Sequence, residues 1–256
     1  MRAYPAIPFL LLLTASLVAC GDDGGQSPSN DAAPDVDAPD GTPDAVPDAP
    51  AGSLSLTISG VASEISTSGT SPLAGVVVTA YASAGDVALG MATSGADGSF
   101  SIAVSTNAAS VDGYLKATFG TTYKDTYLYP PHPLTADYPD VPVFVLSANT
   151  YSLANALLQD GQQATNGWIA MVIEDAAGVP VAGATTTSSP MGTVNYNGSS
   201  GLPSKSAAST ASDGIAYDTN IAAGDVSVMA AKTGATFLSH TIKVRPDVVT
   251  MTLVTE

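Results

Sequence analysis

The chain has 256 residues and carries 23 acidic against 7 basic residues, a formal net charge of −16 at pH 7. Because such a chain repels phosphate backbones and its few basic residues form no cluster, nucleic-acid binding is disfavoured. One cysteine cannot form an internal disulfide, and only 12% of residues are charged, a composition that favours strands and turns over surface helices.

The N-terminus has the pattern of an export signal. Arg2 provides a positive charge, and residues 6–18 form an apolar run too short to cross a bilayer, which takes about 20 residues. Residues 17–20, Leu-Val-Ala-Cys, resemble a bacterial lipobox. The resemblance implies removal of a signal peptide at residues 1–19, a diacylglycerol thioether on Cys20 and acylation of the new N-terminus. The alternative is an ordinary secretory signal whose cleavage region contains a cysteine.

Residues 20–51 are rich in Asp, Pro and Ala and lack hydrophobic periodicity. Such a segment buries too little apolar surface to offset its ordering entropy, so the sequence predicts a disordered acidic linker. A calcium site is a weaker alternative, because Asp35, Asp37 and Asp40 only faintly follow the spacing of calcium loops. The residue after Cys20 is Gly21, whereas an Asp at this position resembles an inner-membrane retention signal in enteric bacteria. We therefore expect a lipid-anchored envelope protein, with the outer membrane favoured.

From Leu54 onward, apolar and polar residues alternate. Leu54, Leu56 and Ile58 share one face of an extended segment, and residues 99–104 repeat the pattern. Period two over such lengths predicts half-buried strands. The same pattern recurs in four later segments, at residues 215–217, 226–230, 238–244 and 249–253. The sequence therefore predicts an all-β fold.

The two halves of this region resemble each other. SPLAGVVVTAY (71–81) matches VPVAGATTTSS (179–189), and TSGADGSFSIAV (93–104) matches TASDGIAYDTN (210–220). The segments 93–104 and 210–220 each contain an Asp-Gly pair, which suits a tight hairpin turn because glycine accepts a positive φ. Turn signals at this spacing predict two Greek-key β-sandwich domains in tandem.

The expected boundaries are 52–146 for the first domain and 168–256 for the second. The connector, 147–167, places Leu153, Ala154, Leu157 and Leu158 at helical spacing, with Asn149 or Thr150 as a cap and Gly161 at the end. This pattern predicts one short helix. Trp168 opens the second domain, where a core or interdomain anchor is favoured over a ligand-stacking role.

The turn motifs also carry a family resemblance. Pro-Leu-Ala-Gly-Val-Val-Val (72–78) followed by Ala-Asp-Gly-Ser-Phe (96–100) resembles the carboxypeptidase regulatory-like domain, a transthyretin-like Greek-key sandwich. Residues 180–184 and 212–214 resemble it too. The second copy departs from the pattern because a polar insertion, 190–208, separates its two turns. The resemblance implies a fold rather than an activity.

The residues offer no constellation for catalysis. His132 and His240 are the only histidines, and neither begins the His-x-x-Glu zinc pair of the peptidases that this fold accompanies. The clustered histidines of intradiol dioxygenases, a related sandwich, are missing as well. We expect His132 on an exposed loop, His240 partly buried, and a protein that is not an enzyme and has no cofactor or metal.

Two stretches are candidates for binding. Five of the ten tyrosines fall in residues 114–138, and tyrosine suits sugar or protein surfaces because it combines a flat apolar ring with a hydroxyl. The alternative is that alternate tyrosines line the core or its rim. The insertion 190–208 is either a recognition loop or solvated decoration. The tentative binding surface is Tyr114, Tyr123, Tyr127, Tyr129 and Tyr138.

The sequence thus predicts a lipid-anchored cell-envelope protein whose non-catalytic sandwiches serve structural or protein-interaction roles. A carbohydrate-binding module of the envelope is the alternative, since transthyretin-like sandwiches resemble starch-binding folds. The expected partners are the membrane, through the lipid on Cys20, and an envelope protein or polysaccharide, with no nucleic acid.

Overall fold

A computed structural model of the chain describes residues 52–66, 69–158 and 161–256. The signal peptide, Cys20 and the acidic linker lie outside the described residues. Within them, strands dominate and one α-helix is present, so the predicted all-β sandwich class is confirmed.

The described part of the chain contains nine strands before the helix and eight after it. The first nine are β1 (Leu54–Ser66), β2 (Gly69–Pro72), β3 (Val77–Ala82), β4 (Val87–Thr93), β5 (Ser99–Thr106), β6 (Gly113–Thr118), β7 (Tyr123–Lys124), β8 (Thr126–Tyr129) and β9 (Tyr138–Ser147). The helix is α1 (Ala148–Leu157). The last eight are β10 (Gly167–Glu174), β11 (Thr185–Ser189), β12 (Thr193–Asn197), β13 (Pro203–Ser204), β14 (Ile215–Ile221), β15 (Gly224–Ala231), β16 (His240–Val244) and β17 (Val249–Thr255).

Three sheets organise these strands. A five-stranded sheet is built on the long strand β1, which pairs with β5 and β2 on one side and parallel with β9 on the other, while β7 extends β9. A nine-stranded sheet has the order β13-β12-β14-β10-β17-β8-β6-β3-β4. A three-stranded sheet has the order β11-β15-β16.

The nine-stranded sheet runs through both halves of the protein. Strand β8 of the first half pairs in parallel with β17, the last strand of the second, from Thr126 opposite Val249 to Tyr129 opposite Thr252. The five-stranded sheet covers the nine-stranded sheet in the first half, and the three-stranded sheet covers its other face in the second. We call the β8–β17 pairing the junction ladder. It makes the two halves one hydrogen-bonded body.

The sequence repeat is also a repeat of hydrogen bonds. In the first half, the Ser94 hydroxyl donates to the Leu73 carbonyl at 2.6 Å and accepts from the Val76 amide at 2.9 Å. In the second half, the Thr210 hydroxyl donates to the Val181 carbonyl at 2.6 Å and accepts from a backbone amide at 2.9 Å. Strands β1 and β10 also match in part, since each pairs antiparallel with the strand after its Asp-Gly turn, β5 or β14, and parallel with the last strand of its half.

The two Asp-Gly turns form as expected, but they are not hairpins. Gly98 and Gly214 adopt φ of 76° and 67°, the left-handed region that favours glycine. However, β4 and β5 belong to different sheets, and β13 and β14 are separated by β12. The first turn packs closely against β1, since a Cβ on Gly98 would lie 2.4 Å from the Ala62 carbonyl oxygen, and it connects two different sheets.

Three hydrophobic cores fill the structure. One lies in the first sandwich around Ile102, and one lies beneath the three-stranded sheet around Ile169. The third joins the halves around Trp168, which is 1% exposed and whose ring centroid lies 5.1 Å from that of Tyr151 and 6.1 Å from that of Tyr217. Trp168 thus occupies the core between α1 and the second half.

Helix α1 lies in the predicted connector, but its cap and buried face differ from expectation. Ser147 is the N-cap, and its hydroxyl accepts from the Thr150 amide at 3.2 Å. Leu153, expected to be buried, is 47% exposed, whereas Tyr151 and Ala154 are buried. The aromatic contact with Trp168 decides which face of this short helix is turned inward.

Candidate functional site

The structure divides the predicted tyrosine surface into buried and half-buried members. Tyr114, Tyr127 and Tyr129 are only 6%, 8% and 4% exposed, whereas Tyr123 and Tyr138 are half-buried. The three buried rings lie together at the junction ladder. Tyr123 packs edge-on against Phe119 at 4.9 Å between ring centroids, away from them.

Cross-strand register explains how the buried tyrosines meet. Tyr114 on β6 lies opposite Tyr81 on β3, and these rings stack at 5.2 Å with an interplanar angle of 14°. The rings of Tyr129 and Tyr127 lie 5.1 and 5.7 Å from that of Tyr114. Sequence reasoning missed Tyr81. The signal available was its place in the alternation of Val77, Thr79 and Tyr81, but not the strand pairing that brings it to Tyr114.

Arg245, which follows β16, reaches from the second half into this group. Its guanidinium carbon lies 4.2 Å from the ring centroid of Tyr127 and 4.8 Å from that of Tyr114. It donates hydrogen bonds to the hydroxyls of Tyr129 at 3.0 Å and Tyr114 at 3.1 Å, and to Asp86 at 3.1 Å. One cation therefore contacts three tyrosines and a carboxylate of the first half.

Asp86 completes the arrangement from the turn before β4. It accepts from the Lys243 ammonium at 2.8 Å and from the Tyr114 hydroxyl at 2.8 Å. The hydrogen bonds from Lys243 and Tyr114, with the charge of Arg245, lower the pKa of Asp86. Burial by itself lowers the pKa of Arg245, but the hydrogen bond to Tyr129 and the nearby tyrosines outweigh burial, so the pKa is raised. We call Tyr81, Tyr114, Tyr127, Tyr129, Asp86, Lys243 and Arg245 the junction cluster.

Within the junction cluster, the hydrogen bonds and ring contacts of the guanidinium with the tyrosines and the carboxylate are made between residues of the two halves, so the cluster links the halves to each other. Burial and the hydrogen bond to Asp86 raise the pKa of Tyr114, so its hydroxyl stays protonated and donates. Stacking on a sugar requires an exposed ring face, which Tyr114, Tyr127 and Tyr129 do not offer. For this part of the tyrosine set, the packing alternative fits the structure. Binding at Tyr123 and Tyr138 stays a prediction.

Tyr114 and Tyr138 both line a small pocket in the first half that is partly open to solvent. Ile58, Val111 and Leu134 contribute apolar walls to it. Small-molecule sites combine apolar walls with a few convergent polar groups. The walls of this pocket are almost entirely apolar, so it lacks the convergent polar groups of a sugar site.

A second polar group, which the sequence did not reveal, lies under the three-stranded sheet. Asp218 on β14 is fully buried and accepts a hydrogen bond from the Ser188 hydroxyl. Burial raises the pKa of Asp218 to about 6, although hydrogen bonds from Ser188 and Gly192 act in the opposite direction. Asp218 shares its face with Ala216 on a strand that is buried at six of its seven positions, so its burial can be inferred only once the strand and its neighbours are known.

The insertion 190–208 proves to be partly structural. Its residues form β12, which pairs with β14 and extends the nine-stranded sheet, and the short β13. The hydroxyl of Tyr196 accepts from the Thr186 amide at 3.0 Å, and the Asn197 amide donates to Asp213 at 2.7 Å. Residues 190–208 therefore extend the second sandwich beyond β14, whereas β4, at the corresponding place in the chain, pairs with β3.

The histidines lie where the sequence places them. His132 is exposed, and His240 is half-buried with its Nε2 atom 2.7 Å from the Thr252 hydroxyl. Burial, together with the charge of His132, lowers the pKa of His240. Across residues 52–66, 69–158 and 161–256, no three His, Cys, Asp or Glu side chains are grouped as metal ligands. No helix in these ranges has the length and apolar character to cross a membrane.

Comparisons with known proteins do not assign a family. No family model matches the chain, and no curated protein matches it. Among solved structures, it is similar to the TIE protein of Bacillus anthracis (11% identity, TM-score 0.25), covering 79% of this chain but only 34% of that one. The shaft pilin SpaA of Lactobacillus rhamnosus GG (12%, 0.23) and the minor pilin GBS52 of Streptococcus agalactiae (13%, 0.24) cover 79% of this chain and 97% and 96% of theirs. Similarities this weak assign neither a family nor a function to the chain. The resemblance to the carboxypeptidase regulatory-like domain stays a prediction.

Proposed function

We propose that this protein is a lipid-anchored component of the cell envelope whose two sandwiches act as one non-enzymatic structural or protein-interaction body. The junction carries the proposal: a continuous sheet and the junction cluster join the halves, so the polar and aromatic groups gathered there hold the fold together. A body built this way presents fixed outer surfaces at the end of a linker, which suits display and contact better than turnover.

The anchoring part of the proposal depends on Cys20 and the lipobox pattern. Cells expressing the full chain are labelled with radioactive palmitate, and the protein is recovered. We expect label in the wild type and none in Cys20→Ser. Gly21→Ala, which leaves Leu17, Ala19 and Cys20 in place, is the matched control and keeps the label. Equal labelling of the wild type and Cys20→Ser contradicts the anchor.

The interaction part is tested by crosslinking in intact cells. We expect the full chain to form defined crosslinked species with envelope proteins through residues on the outer sheet faces. Recovery of uncrosslinked protein alone, under conditions that crosslink known neighbours in the envelope, contradicts an interaction role.

Carbohydrate binding is the alternative, and it is confined to the half-buried tyrosines. Retention of the full chain on insoluble polysaccharides, peptidoglycan included, measures it. If Tyr123 stacks on sugar rings, Tyr123→Ala weakens saturable retention roughly two- to tenfold, since an aromatic stacking contact contributes about 0.5–1.5 kcal/mol. Tyr196→Phe, which changes a tyrosine buried in the second sandwich, leaves retention unchanged. Lack of retention by the wild type eliminates this alternative.

A further inference from the structure

Residues 232–239 lead the chain from β15 back to β16, outside any strand, and we call them the return segment. Phe237 is 8% exposed and packs into the core beneath the three-stranded sheet. The Leu238 amide donates to the Thr255 carbonyl of β17 at 2.9 Å. Most of the other side chains of the return segment are exposed. A segment held by so few contacts is able to open locally while the sheets around it stay folded.

His240 ends the return segment and begins β16. Its Nε2 atom lies 2.7 Å from the Thr252 hydroxyl oxygen on β17, and that hydroxyl donates to the Tyr129 carbonyl on β8 at 3.1 Å. Because a hydroxyl has one hydrogen to donate, it must accept from His240, so Nε2 carries the proton of the neutral ring. The imidazole therefore ties the start of β16 to β17 and, through Thr252, to the junction ladder.

The second ring nitrogen of His240 has no partner. Nδ1 is buried, and no group in the described part of the chain makes a hydrogen bond with it. Protonation of the ring adds a hydrogen to Nδ1, because both nitrogens of an imidazolium are donors. A buried donor of a cation without an acceptor is strongly unfavourable. The closed position of the return segment therefore accommodates the neutral ring and disfavours the imidazolium.

The strands packed against His240 face it with uncharged side chains. On β16 it shares the inward face with Ile242 and Val244, and on β15 it lies opposite Val228. Glu256, which follows β17, is exposed, and its carboxylate is not among the charges that act on His240. The packing therefore supplies no negative charge to offset that of an imidazolium.

The other titratable groups around this end of the sheet do not favour a cation either. Lys243 lies on the outward face of β16 and pairs with Asp86 at 2.8 Å, and burial raises the pKa of Tyr129, which stays neutral. Burial and the like charge of His132 lower the pKa of His240 below the usual 6.5. The folded protein therefore binds this proton less readily than the unfolded chain, so the stabilisation by His240 is complete above about pH 6.5 and is lost as pH falls through the lowered pKa.

We propose that His240 is an acid-sensitive latch: at neutral pH it holds the return segment against β17, and on protonation it releases that segment. Opening moves the imidazolium into water, where its charge is hydrated. It also uncovers Phe237 beside Leu238, which is already 55% exposed, so an apolar surface forms in acid. The junction ladder consists of backbone hydrogen bonds and stays closed.

Hydrogen exchange of the full chain in detergent measures the release. Amide protection, corrected for the intrinsic effect of pH on exchange, is compared by mass spectrometry at about pH 7.5 and about pH 5, on either side of the usual histidine pKa. We expect the return segment to lose at least about fivefold in protection at the lower pH, the factor that corresponds to one buried donor without an acceptor. Strands β10 and β17 keep their protection. Equal protection of the return segment at the two pH values overturns the proposal.

The variant His240→Gln separates the latch from other effects of acid. A glutamine amide can donate to Thr252 but carries no charge, so we expect similar protection of the return segment at both pH values. His132→Gln is the matched control, which leaves the latch in place and keeps the loss in acid. Asp218 also titrates in this range, but it is common to all three chains and cancels in the comparison. Loss in His240→Gln as large as in the wild type, or no loss in His132→Gln, assigns the effect to other groups and overturns the proposal.

NMR of nitrogen-labelled histidine tests the latch without a variant, because the chain has only two histidines. We expect His240 to carry its proton on Nε2 at neutral pH and to titrate below pH 6.5. A neutral ring with its proton on Nδ1, or titration at or above that value, overturns the proposal even if His240→Gln fails to fold. Neither measurement depends on the lipid at Cys20 or on a partner, so its failure leaves the proposed function untouched.

Discussion

At the scale of single residues, Asp218 is the group whose burial conflicts most with its charge. It is fully buried, and burial raises its pKa from 3.8 to about 6. The folded protein therefore binds a proton between these values that the unfolded chain releases, so stability falls as pH rises through this window. At neutral pH the buried carboxylate costs roughly 3 kcal/mol, the equivalent of about two pKa units.

Asp218→Asn removes that cost while keeping an oxygen that accepts from Ser188. We expect the free energy of unfolding at pH 7 to rise by up to roughly 3 kcal/mol, and its decline between about pH 4 and pH 6 to flatten. Urea unfolding across this pH range measures both. Asp112→Asn, at an exposed position, is expected to change stability by less than about 0.5 kcal/mol. A variant less stable at pH 7 than the wild type contradicts the prediction.

Substitutions at two glycines of the second half distinguish the cost of backbone strain from the cost of a steric clash. Gly183 has φ of 77° and no atom within 4 Å of an added Cβ, whereas Gly214 has φ of 67° and the Ile173 carbonyl oxygen at 2.5 Å. Gly183→Ala is expected to cost about 1–2 kcal/mol through its φ alone. Gly214→Ala should cost roughly 1–3 kcal/mol more, because the carbonyl must move. Thermal unfolding of both variants checks this order, and equal losses would refute it.

At the scale of elements, we expect the insertion 190–208 to stabilise the second sandwich through Tyr196. Its hydroxyl is the acceptor for the buried amide of Thr186 on the edge strand β11. Tyr196→Phe leaves that amide without its acceptor and is expected to lower the free energy of unfolding by about 1–3 kcal/mol. Tyr81→Phe is the control, because the ring stack with Tyr114 survives, and it should cost under about 0.5 kcal/mol. No loss in Tyr196→Phe would make the insertion dispensable to the sandwich.

The strands that the sequence predicted best have one wet face. Strand β5 alternates exposed and buried residues along its length, so its period of two follows directly from burial. Strand β17 is buried at six of seven positions, because the core around Trp168 lies on one face and the three-stranded sheet on the other. Its apolar residues still alternate with threonines, such as Thr250 and Thr252, and this made it recognisable although the threonines are buried.

The junction could not be predicted from local pattern. Arg245 and Asp86 are 159 residues apart, and β8 meets β17 across 123 residues in the bond from Thr252 to the Tyr129 carbonyl. Composition showed five tyrosines within 25 residues but not which cation meets them. Alternation gives the face of each residue within a strand; the neighbour of a strand depends on the global arrangement. For that reason the tyrosines were identified as a group while their burial stayed open.

At the scale of the whole molecule, the two repeats depend on each other. The core around Trp168 draws residues from β9, α1, β10 and β17, so neither sandwich closes this core alone. The nine-stranded sheet also has no break between the halves. Separate sandwiches on a linker would unfold in two steps, whereas a shared core and a shared sheet couple the two equilibria.

We therefore expect the two halves to unfold in a single transition, with the calorimetric enthalpy equal to the van't Hoff enthalpy. Arg245→Leu removes the cation that binds Asp86 and contacts Tyr127, and it is expected to lower the transition temperature while β8 and β17 keep the transition single. Lys232→Leu, an exposed position on the second half, is the matched control and should leave the temperature within about 2 °C. Two resolved transitions in the wild type would show that the halves are independent. If Arg245→Leu splits the transition in two, the Arg245 contacts of the junction cluster, and not the β8–β17 pairing, couple the unfolding of the two halves.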